Sequence, residues 1–185
     1  MGPVRALVVA IVLAFALSSQ AQVTDPCRDA NLPAKAQSLI AKKFPGWRTK
    51  LVSDLGADDQ QLWMKAHPQE CPGIAIGHFE EPDHLAYALV LVPKSDVNSG
   101  YKIVVWSKAA TAEGDSLRVL DHAEKQPYAG SGLAVSKLAP GVYSDFEGTK
   151  SVDMKLDAIN VEWIEKATVV YYWSTGRYRT LQTAD

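Results

Sequence analysis

The sequence predicts an α+β fold: a mainly antiparallel sheet of about seven or eight strands, with two short N-terminal helices packed on one face. Three observations predict it. Apolar residues recur at helical spacing early in the chain, alternation with a period of two follows Cys71, and turn residues separate the candidate strands. Of the 185 residues, 47% are hydrophobic, and the net charge is -2. This composition is that of a globular protein and lacks the positive charge typical of nucleic-acid-binding proteins.

Two segments before residue 67 have the spacing of amphipathic helices. Pro33 suits a first helical turn, and this helix ends at Phe44-Pro45-Gly46. Its apolar face consists of Ala36, Leu39, Ile40 and Phe44. The second helix covers residues 58–66 and has acidic residues at its positive N-terminal end. Between the helices, residues 47–52 alternate large apolar with charged side chains, which predicts a short strand.

The remaining predicted strands form two groups, separated by an irregular segment, residues 122–150, that is rich in glycine, proline and polar residues. The first group comprises residues 74–80, 85–92, 101–107 and 116–121, and the second comprises residues 158–164, 167–173 and 177–182. Residues 85–92 are apolar on both faces. This pattern is typical of a central strand with other elements packed on both sides.

Residues 1–21 have the features of a secretory signal peptide. Arg5 precedes an unbroken apolar run over residues 6–17, and Ser19 and Ala21 match the small-residue pattern that signal peptidases accept. The run is too short to span a membrane as a helix, which needs about 20 residues. We therefore predict a signal peptide at 1–21 and a single extracytoplasmic α+β domain at 22–185. The exported chain, periplasmic or secreted, would have no membrane span after cleavage.

The chain has two cysteines, Cys27 and Cys71. Both lie in the predicted exported part, where oxidising conditions let a disulfide persist. A bond between them would tie the N-terminal helical segment to the start of the main sheet. The alternative is a reactive thiol, which usually needs basic neighbours or a helix N-terminus. Cys71 lies instead between Glu70 and Pro72, which favours the structural disulfide.

The densest group of polar side chains is the segment from His78 to His84, a predicted hairpin turn with two imidazoles and three carboxylates. If Glu80 pairs with His84 across a three-residue loop, then His78, Glu80 and His84 share a face and could hold a divalent metal. If Glu80 pairs with Asp83 across a two-residue loop, His84 faces away from His78. The second register leaves an exposed polar turn.

Residues 77–88, Gly77-His78-Phe79-Glu80-Glu81-Pro82-Asp83-His84-Leu85-Ala86-Tyr87-Ala88, resemble a single FG-GAP or VCBS-type segment, in which a glycine, an acidic turn and an apolar strand recur. The resemblance implies propeller blades, calcium binding by acidic turn residues, and an extracytoplasmic binding function. The chain has one copy of this segment, with His78 where that family usually has an aspartate.

The C-terminal hairpin combines aromatic and basic residues. Around a loop of Ser174-Thr175-Gly176, Trp173 is predicted to pair with Arg177, and Tyr171 with Arg179. Flat rings beside guanidinium groups can stack on sugars or receive an anionic partner. These four residues are therefore a predicted binding site. The alternative is that the same cross-strand pairs only stabilise the hairpin.

The sequence contains no nucleophile elbow, phosphate-binding loop or zinc-binding helix motif. We therefore predict a secreted or periplasmic non-enzymatic binding or inhibitor-type module without a cofactor. Its expected partner is an envelope or extracellular protein or a glycan, and not a nucleic acid. The alternative is a metal-assisted hydrolase centred on His78, Glu80, Asp83 and His84.

Overall fold

A computed structural model describes residues 25–30, 32–108 and 115–185. Of the described residues, 48% lie in strands, which form antiparallel sheets, and 17% lie in helices, which agrees with the predicted α+β class in its broad outline. The predicted signal peptide, residues 1–21, lies outside the described residues. No helix in the described ranges is both long enough and apolar enough to cross a membrane.

The first sheet is built around one long apolar strand. Its five strands are β1 (Trp47–Thr49), β2 (Ile74–Glu81), β3 (His84–Pro93), β4 (Gly100–Ser107) and β5 (Ser116–Glu124). Both β1 and β2 pair with the same edge of β3, each at a different end, while β4 pairs with its other edge and β5 lies beyond β4. The predicted central strand is thereby confirmed as the middle of a sheet.

The second sheet has four antiparallel strands, and a separate two-stranded hairpin accompanies it. The sheet order is β11 (Arg177–Ala184), β10 (Ala167–Ser174), β9 (Ala158–Trp163) and β6 (Leu133–Leu138), and the hairpin consists of β7 (Gly141–Ser144) and β8 (Ser151–Met154). The two sheets bury a common apolar core between them, which includes Phe79, Val90, Ile103, Val135 and Ile159. Alternation with a period of two puts these side chains on the inner face of each sheet.

The structure differs from the predicted strand pattern between residues 122 and 150. This segment was predicted to be irregular, but it contains the end of β5, all of β6 and β7, and the turn before β8. The Asp145 carboxylate accepts hydrogen bonds from the backbone N–H groups of Thr149 and Lys150, which fixes the turn between β7 and β8. The described residues therefore form eleven strands rather than seven or eight.

The two N-terminal helices were predicted to pack on one face of a sheet, but the structure places them against different sheets. The helices are α1 (Pro26–Asp29), α2 (Ala34–Lys43) and α3 (Ala57–Ala66). On the outer face of the first sheet, Ile40 of α2 joins a cluster with Leu89 and Val104. Helix α3 lies instead beside the second sheet, where Trp63 packs with Ala134 of β6. Apolar stripes predict that each helix covers a sheet, but they do not specify which sheet.

The predicted disulfide between Cys27 and Cys71 is present. Cys27 lies in α1, and Cys71 comes shortly before β2. The bond therefore ties the N-terminal helical segment to the start of the first sheet, as expected.

Lys50 follows β1, within the segment predicted to alternate large apolar with charged side chains, and its side chain is fully buried. Its ammonium group donates a hydrogen bond to the carbonyl oxygen of Gly130. Burial lowers the pKa of Lys50 to about 8. The negative charges of Asp54 and Asp59 act in the opposite direction and raise this pKa, but by less. The protein therefore buries one lysine side chain in its interior.

Candidate binding cleft

A cleft remains on the outer face of the first sheet because α2 is too short to cover that face. A helix of 10 residues is about 15 Å long, whereas β3, also of 10 residues, extends for about 33 Å. Ile40 of α2 packs on the half of the sheet that contains Leu89 and Leu91. The other half, which contains Leu85 and Tyr87, lines the cleft.

The cleft has a volume of about 550 Å³, within the usual range for small-molecule sites. Its lining residues come from the start of α2 and from the outer face of the sheet near the β2–β3 turn: Pro33, Lys35, Asp83, His84, Leu85, Tyr87, Trp106, Lys108 and Asp115. Leu85 remains 49% exposed. The cleft is therefore a concave site with an exposed apolar rim.

Two aromatic rings form one side of the cleft. Tyr87 of β3 and Trp106 of β4 are cross-strand partners, and their ring centroids lie 5.4 Å apart at an interplanar angle of 54°. Trp106 is only 4% exposed, and its indole Nε1–H has no hydrogen-bond partner among the described residues. The N–H group is itself enclosed by protein atoms, so Trp106 lines the cleft with other atoms of its side chain.

The charged groups of the cleft balance one another, with Lys35 and Lys108 against Asp83 and Asp115. Lys35 Nζ lies 3.1 Å from Asp115 Oδ1. The Asp115 side chain is only 6% exposed, and its other oxygen, Oδ2, has no hydrogen-bond partner within the described part of the chain. Both unpaired atoms, Trp106 Nε1 and Asp115 Oδ2, are enclosed by protein atoms and are not exposed in the cleft.

The predicted metal ligands are not brought together. Glu81 pairs with His84 across the two-residue loop Pro82-Asp83. An irregularity in β2 between Gly77 and Glu81 shifts the register there. Glu80 therefore pairs with neither His84 nor Asp83, the two partners that were predicted. His84 Nδ1 lies 2.8 Å from Glu81 Oε2. Within the described ranges, no three His, Cys, Asp or Glu side chains converge on a possible metal site. The metal-assisted hydrolase thus stays a prediction that this geometry does not favour.

Glu80 instead connects three strands of the first sheet. Its Oε2 accepts a hydrogen bond from Ser107 Oγ at 2.9 Å, and its Oε1 accepts one from Arg118 Nη1 at 2.7 Å. The Arg118 guanidinium also lies 5.3 Å from the centre of the Trp173 ring in the second sheet. Burial, together with the nearby Glu80 carboxylate, raises the pKa of Tyr178. This cluster joins the two sheets at one end of the core.

The predicted register of the C-terminal hairpin is wrong. The loop has two residues, Thr175 and Gly176, both with positive φ, so Ser174 pairs with Arg177 and Trp173 with Tyr178. The rings of Trp173 and Tyr178 meet edge to face, with centroids 5.0 Å apart.

The four residues of the predicted binding site therefore do not form one surface. Tyr171 is buried in the core between the sheets, and Arg179 pairs with Tyr172 rather than with Tyr171. Arg177 and Arg179 are exposed, but the guanidinium that stacks on Trp173 belongs to Arg118. A binding role for Tyr171, Trp173, Arg177 and Arg179 stays a prediction.

Comparisons with protein-family models, with curated proteins and with solved structures gave no match for the chain. The resemblance of residues 77–88 to an FG-GAP or VCBS-type segment thus has no support from a family match. In the structure this segment forms part of the β2–β3 hairpin, in a fold of two packed sheets rather than a propeller. The functional argument therefore depends on the geometry of the cleft.

Proposed function

We propose that the protein is an exported, non-enzymatic binding module that recognises a protein or glycan partner in the periplasm or the extracellular medium. The partner would bind in the cleft lined by Tyr87 and Trp106. Two features support this proposal: a concave site of ligand size with aromatic lining, and a disulfide of the kind that persists outside the cytoplasm.

The observation that carries the proposal is the cleft of about 550 Å³ itself, which is lined by the half-buried Tyr87 ring and the exposed Leu85 side chain. Tryptophan and tyrosine are enriched in recognition sites because each has a large apolar ring and one polar group. A ligand-sized cleft lined by such rings is therefore a candidate recognition site.

Export can be tested by expressing the full chain in a bacterium and separating the cytoplasm, the periplasm and the medium. We expect the processed protein in the periplasm or the medium, with an N-terminus at Gln22, because the predicted cleavage follows Ala21. N-terminal sequencing and mass spectrometry measure this directly. An unprocessed protein confined to the cytoplasm would contradict the proposed export.

The binding function can be tested through the indole N–H signals of the five tryptophans in a proton–nitrogen correlation spectrum. Trp106→Phe identifies the Trp106 signal by its loss while preserving an aromatic ring. We expect at least one compound from a panel of soluble glycans and peptides to shift this signal. Tyr87→Ala should weaken the binding of that compound by about tenfold or more, since tenfold corresponds to about 1.4 kcal/mol and truncating an aromatic anchor can cost about 2 kcal/mol or more.

A matched control is Tyr128→Ala, because Tyr128 is 78% exposed and does not line the cleft. This variant should bind the same compound as tightly as the unmodified protein. If Tyr87→Ala and Tyr128→Ala bind with equal affinity, the cleft is not the binding site. If no compound shifts the Trp106 signal, the binding function proposed for this cleft is wrong.

A further inference from the structure

His67, which immediately follows α3, lies between two carboxylates. Its Nδ1 is 3.4 Å from Glu70 Oε2, and its Nε2 is 3.5 Å from Glu162 Oε1. Glu70 belongs to the connection between α3 and β2, whereas Glu162 lies on β9 of the second sheet. A protonated imidazole has a donor on each ring nitrogen, so one charged ring can serve acidic groups from two separate parts of the fold.

Trp63 fixes the position of the His67 ring. The two rings are stacked, with centroids 4.2 Å apart and an interplanar angle of 23°, and Trp63 itself is only 1% exposed. The Trp63 indole N–H donates to the carbonyl oxygen of Glu70 at 2.9 Å, and the His67 backbone N–H donates to the carbonyl oxygen of Trp63 at 2.7 Å. The imidazole and the Glu70 backbone are therefore held against one rigid ring.

Glu162 carries its charge in a half-buried position where only His67 can offset it. Its cross-strand partners, Ala134 on β6 and Thr168 on β10, are uncharged. Burial raises the pKa of Glu162, a positive charge on His67 lowers it, and the nearby Glu70 carboxylate raises it. When the imidazole is neutral, the Glu162 charge is therefore left without a cation and close to a second negative charge.

The other charged groups on the surrounding elements point into solvent. They are Lys65 on α3, Lys137 on β6, and Glu165 and Lys166 in the turn between β9 and β10, and all four side chains are exposed. Lys137 lines a surface cavity together with Glu70. Within the described ranges, however, the ion-pair contacts of Glu70 and Glu162 are those with His67 alone. The charge state of this site therefore depends on one imidazole.

We propose that His67 is a pH-sensitive latch, which fastens the C-terminal end of α3 to the second sheet when the surroundings become mildly acidic. The imidazolium then contacts Glu162 on the sheet and Glu70 in the chain that follows the helix. Its charge also lies at the C-terminal end of a helix and over the face of Trp63, and both positions favour a cation. The latch is separate from the cleft on the first sheet.

The direction of the pH effect follows from which groups are charged. Above about pH 7 an imidazole is ordinarily neutral, so the two carboxylates face each other without a cation. As the pH falls through about 6.5, the imidazolium forms and the latch closes. Further acidification protonates the glutamates and opens it again, beginning with Glu162, because burial raises the pKa of that group. The latch is therefore closed in a window around about pH 5.5.

The experiment measures hydrogen exchange of the amides in the last turn of α3, Lys65, Ala66 and His67, at about pH 7.5 and pH 5.5. Each rate is compared with that of an unstructured chain at the same pH, which gives a protection factor. We expect protection of these amides, relative to those of β3, to be about fivefold greater at pH 5.5, the size of effect typical of partly exposed ion pairs. The β3 amides report global unfolding and are the internal reference.

Three variants assign the effect to the latch. His67→Gln keeps a polar side chain but removes the titrating group, and we expect it to lose the fivefold pH effect. Glu162→Gln has nearly the same shape as the original side chain without its charge, and it should reduce the effect to about twofold or less. The matched control is His122→Gln, an exposed histidine on β5, which should retain the full effect. Should His67→Gln be misfolded, Glu70→Gln, at an exposed position, replaces it and should also reduce the effect.

Equal relative protection at the two pH values in the unmodified protein would overturn the latch. So would the full pH effect in folded His67→Gln, because another group would then be responsible, and so would loss of the effect in His122→Gln. An unchanged effect in both Glu162→Gln and Glu70→Gln would show that the carboxylates do not hold the imidazolium, which also overturns the proposal. No ligand is present in these measurements, so their result is independent of the binding function proposed for the cleft.

Discussion

Replacing Lys50 with methionine is expected to make the protein more stable at about pH 7, by about 2 kcal/mol, and to lose that advantage near pH 10. Lowering the pKa of Lys50 from 10.5 to about 8 corresponds to about 3 kcal/mol of unfavourable free energy in the folded state. Methionine has a similar shape and carries no charge. It leaves the carbonyl of Gly130 without its donor, at a cost of about 1 kcal/mol.

The direction of the pH effect follows from the two pKa values. Below about pH 8, Lys50 is charged in both the folded and the unfolded state, so the full penalty of burying the charge is present. Between about pH 8 and pH 10.5 the unfolded state binds more protons, so the free energy of unfolding rises with pH. Lys50 should contribute a rise of about 2 to 3 kcal/mol between about pH 7 and pH 10. The Lys50→Met variant should lack this contribution.

Urea unfolding at about pH 7 and pH 10, for both proteins, measures this difference. Burial also raises the pKa of Tyr171 to about 12, which lowers stability as the pH rises above about 10. That effect is common to both proteins and cancels in the comparison. Lys42→Met, on the exposed side of α2, should show no such pH dependence relative to the unmodified protein. A constant stability difference between Lys50→Met and the unmodified protein at both pH values would contradict the prediction.

The parts of the fold that the sequence predicted are those where local pattern and tertiary environment agree. The run at 85–92 is apolar on both faces, and it became β3 with partners on both edges. Residues 133–138 were missed because glycines and prolines flank them on both sides, although pairing with β9 makes them a strand. The burial of Lys50 could not be predicted for a similar reason, because alternation with apolar neighbours does not distinguish a buried lysine from an exposed one.

The hairpin registers could not be predicted because they depend on turn conformation. Thr175 adopts a φ of 51°, a left-handed conformation that is unusual for a β-branched residue, and this shortens the loop to two residues. A three-residue loop ending in glycine was the simpler expectation. A shift of this kind exchanges the side chains that face each other, so it separated Trp173 from Arg177.

The cleft itself was not predicted. Alternation places Leu85 and Tyr87 on one face, which was the available signal, but Trp106 lies on β4 and Asp115 just before β5. Their proximity depends on the register of β3, β4 and β5 and on the length of α2. The register could not be predicted from one sequence, because cross-strand register is decided by packing over the whole sheet.

Removing the disulfide is expected to cause the largest loss of stability. The bond joins residues separated by 44 positions. In the chain-entropy description, a loop of this size restrains the unfolded chain by about 4 kcal/mol. Cys27→Ala/Cys71→Ala should therefore lower the free energy of unfolding by about that amount, and the melting temperature by roughly 10 °C. Calorimetry or urea unfolding under non-reducing conditions measures both quantities.

A second consequence concerns α1, which has four residues and is too short to persist without an anchor. The backbone amides of α1 should exchange hydrogen much faster in the double variant than in the unmodified protein. The amides of β3 and β4 should exchange faster only by the amount that the lower global free energy of unfolding predicts. The control is the unmodified protein in reductant, which should reach the stability of the double variant, whereas the double variant should not respond to reductant. Equal melting temperatures for the oxidised and the double-variant protein would mean that α1 and β2 are held together by packing rather than by the bond.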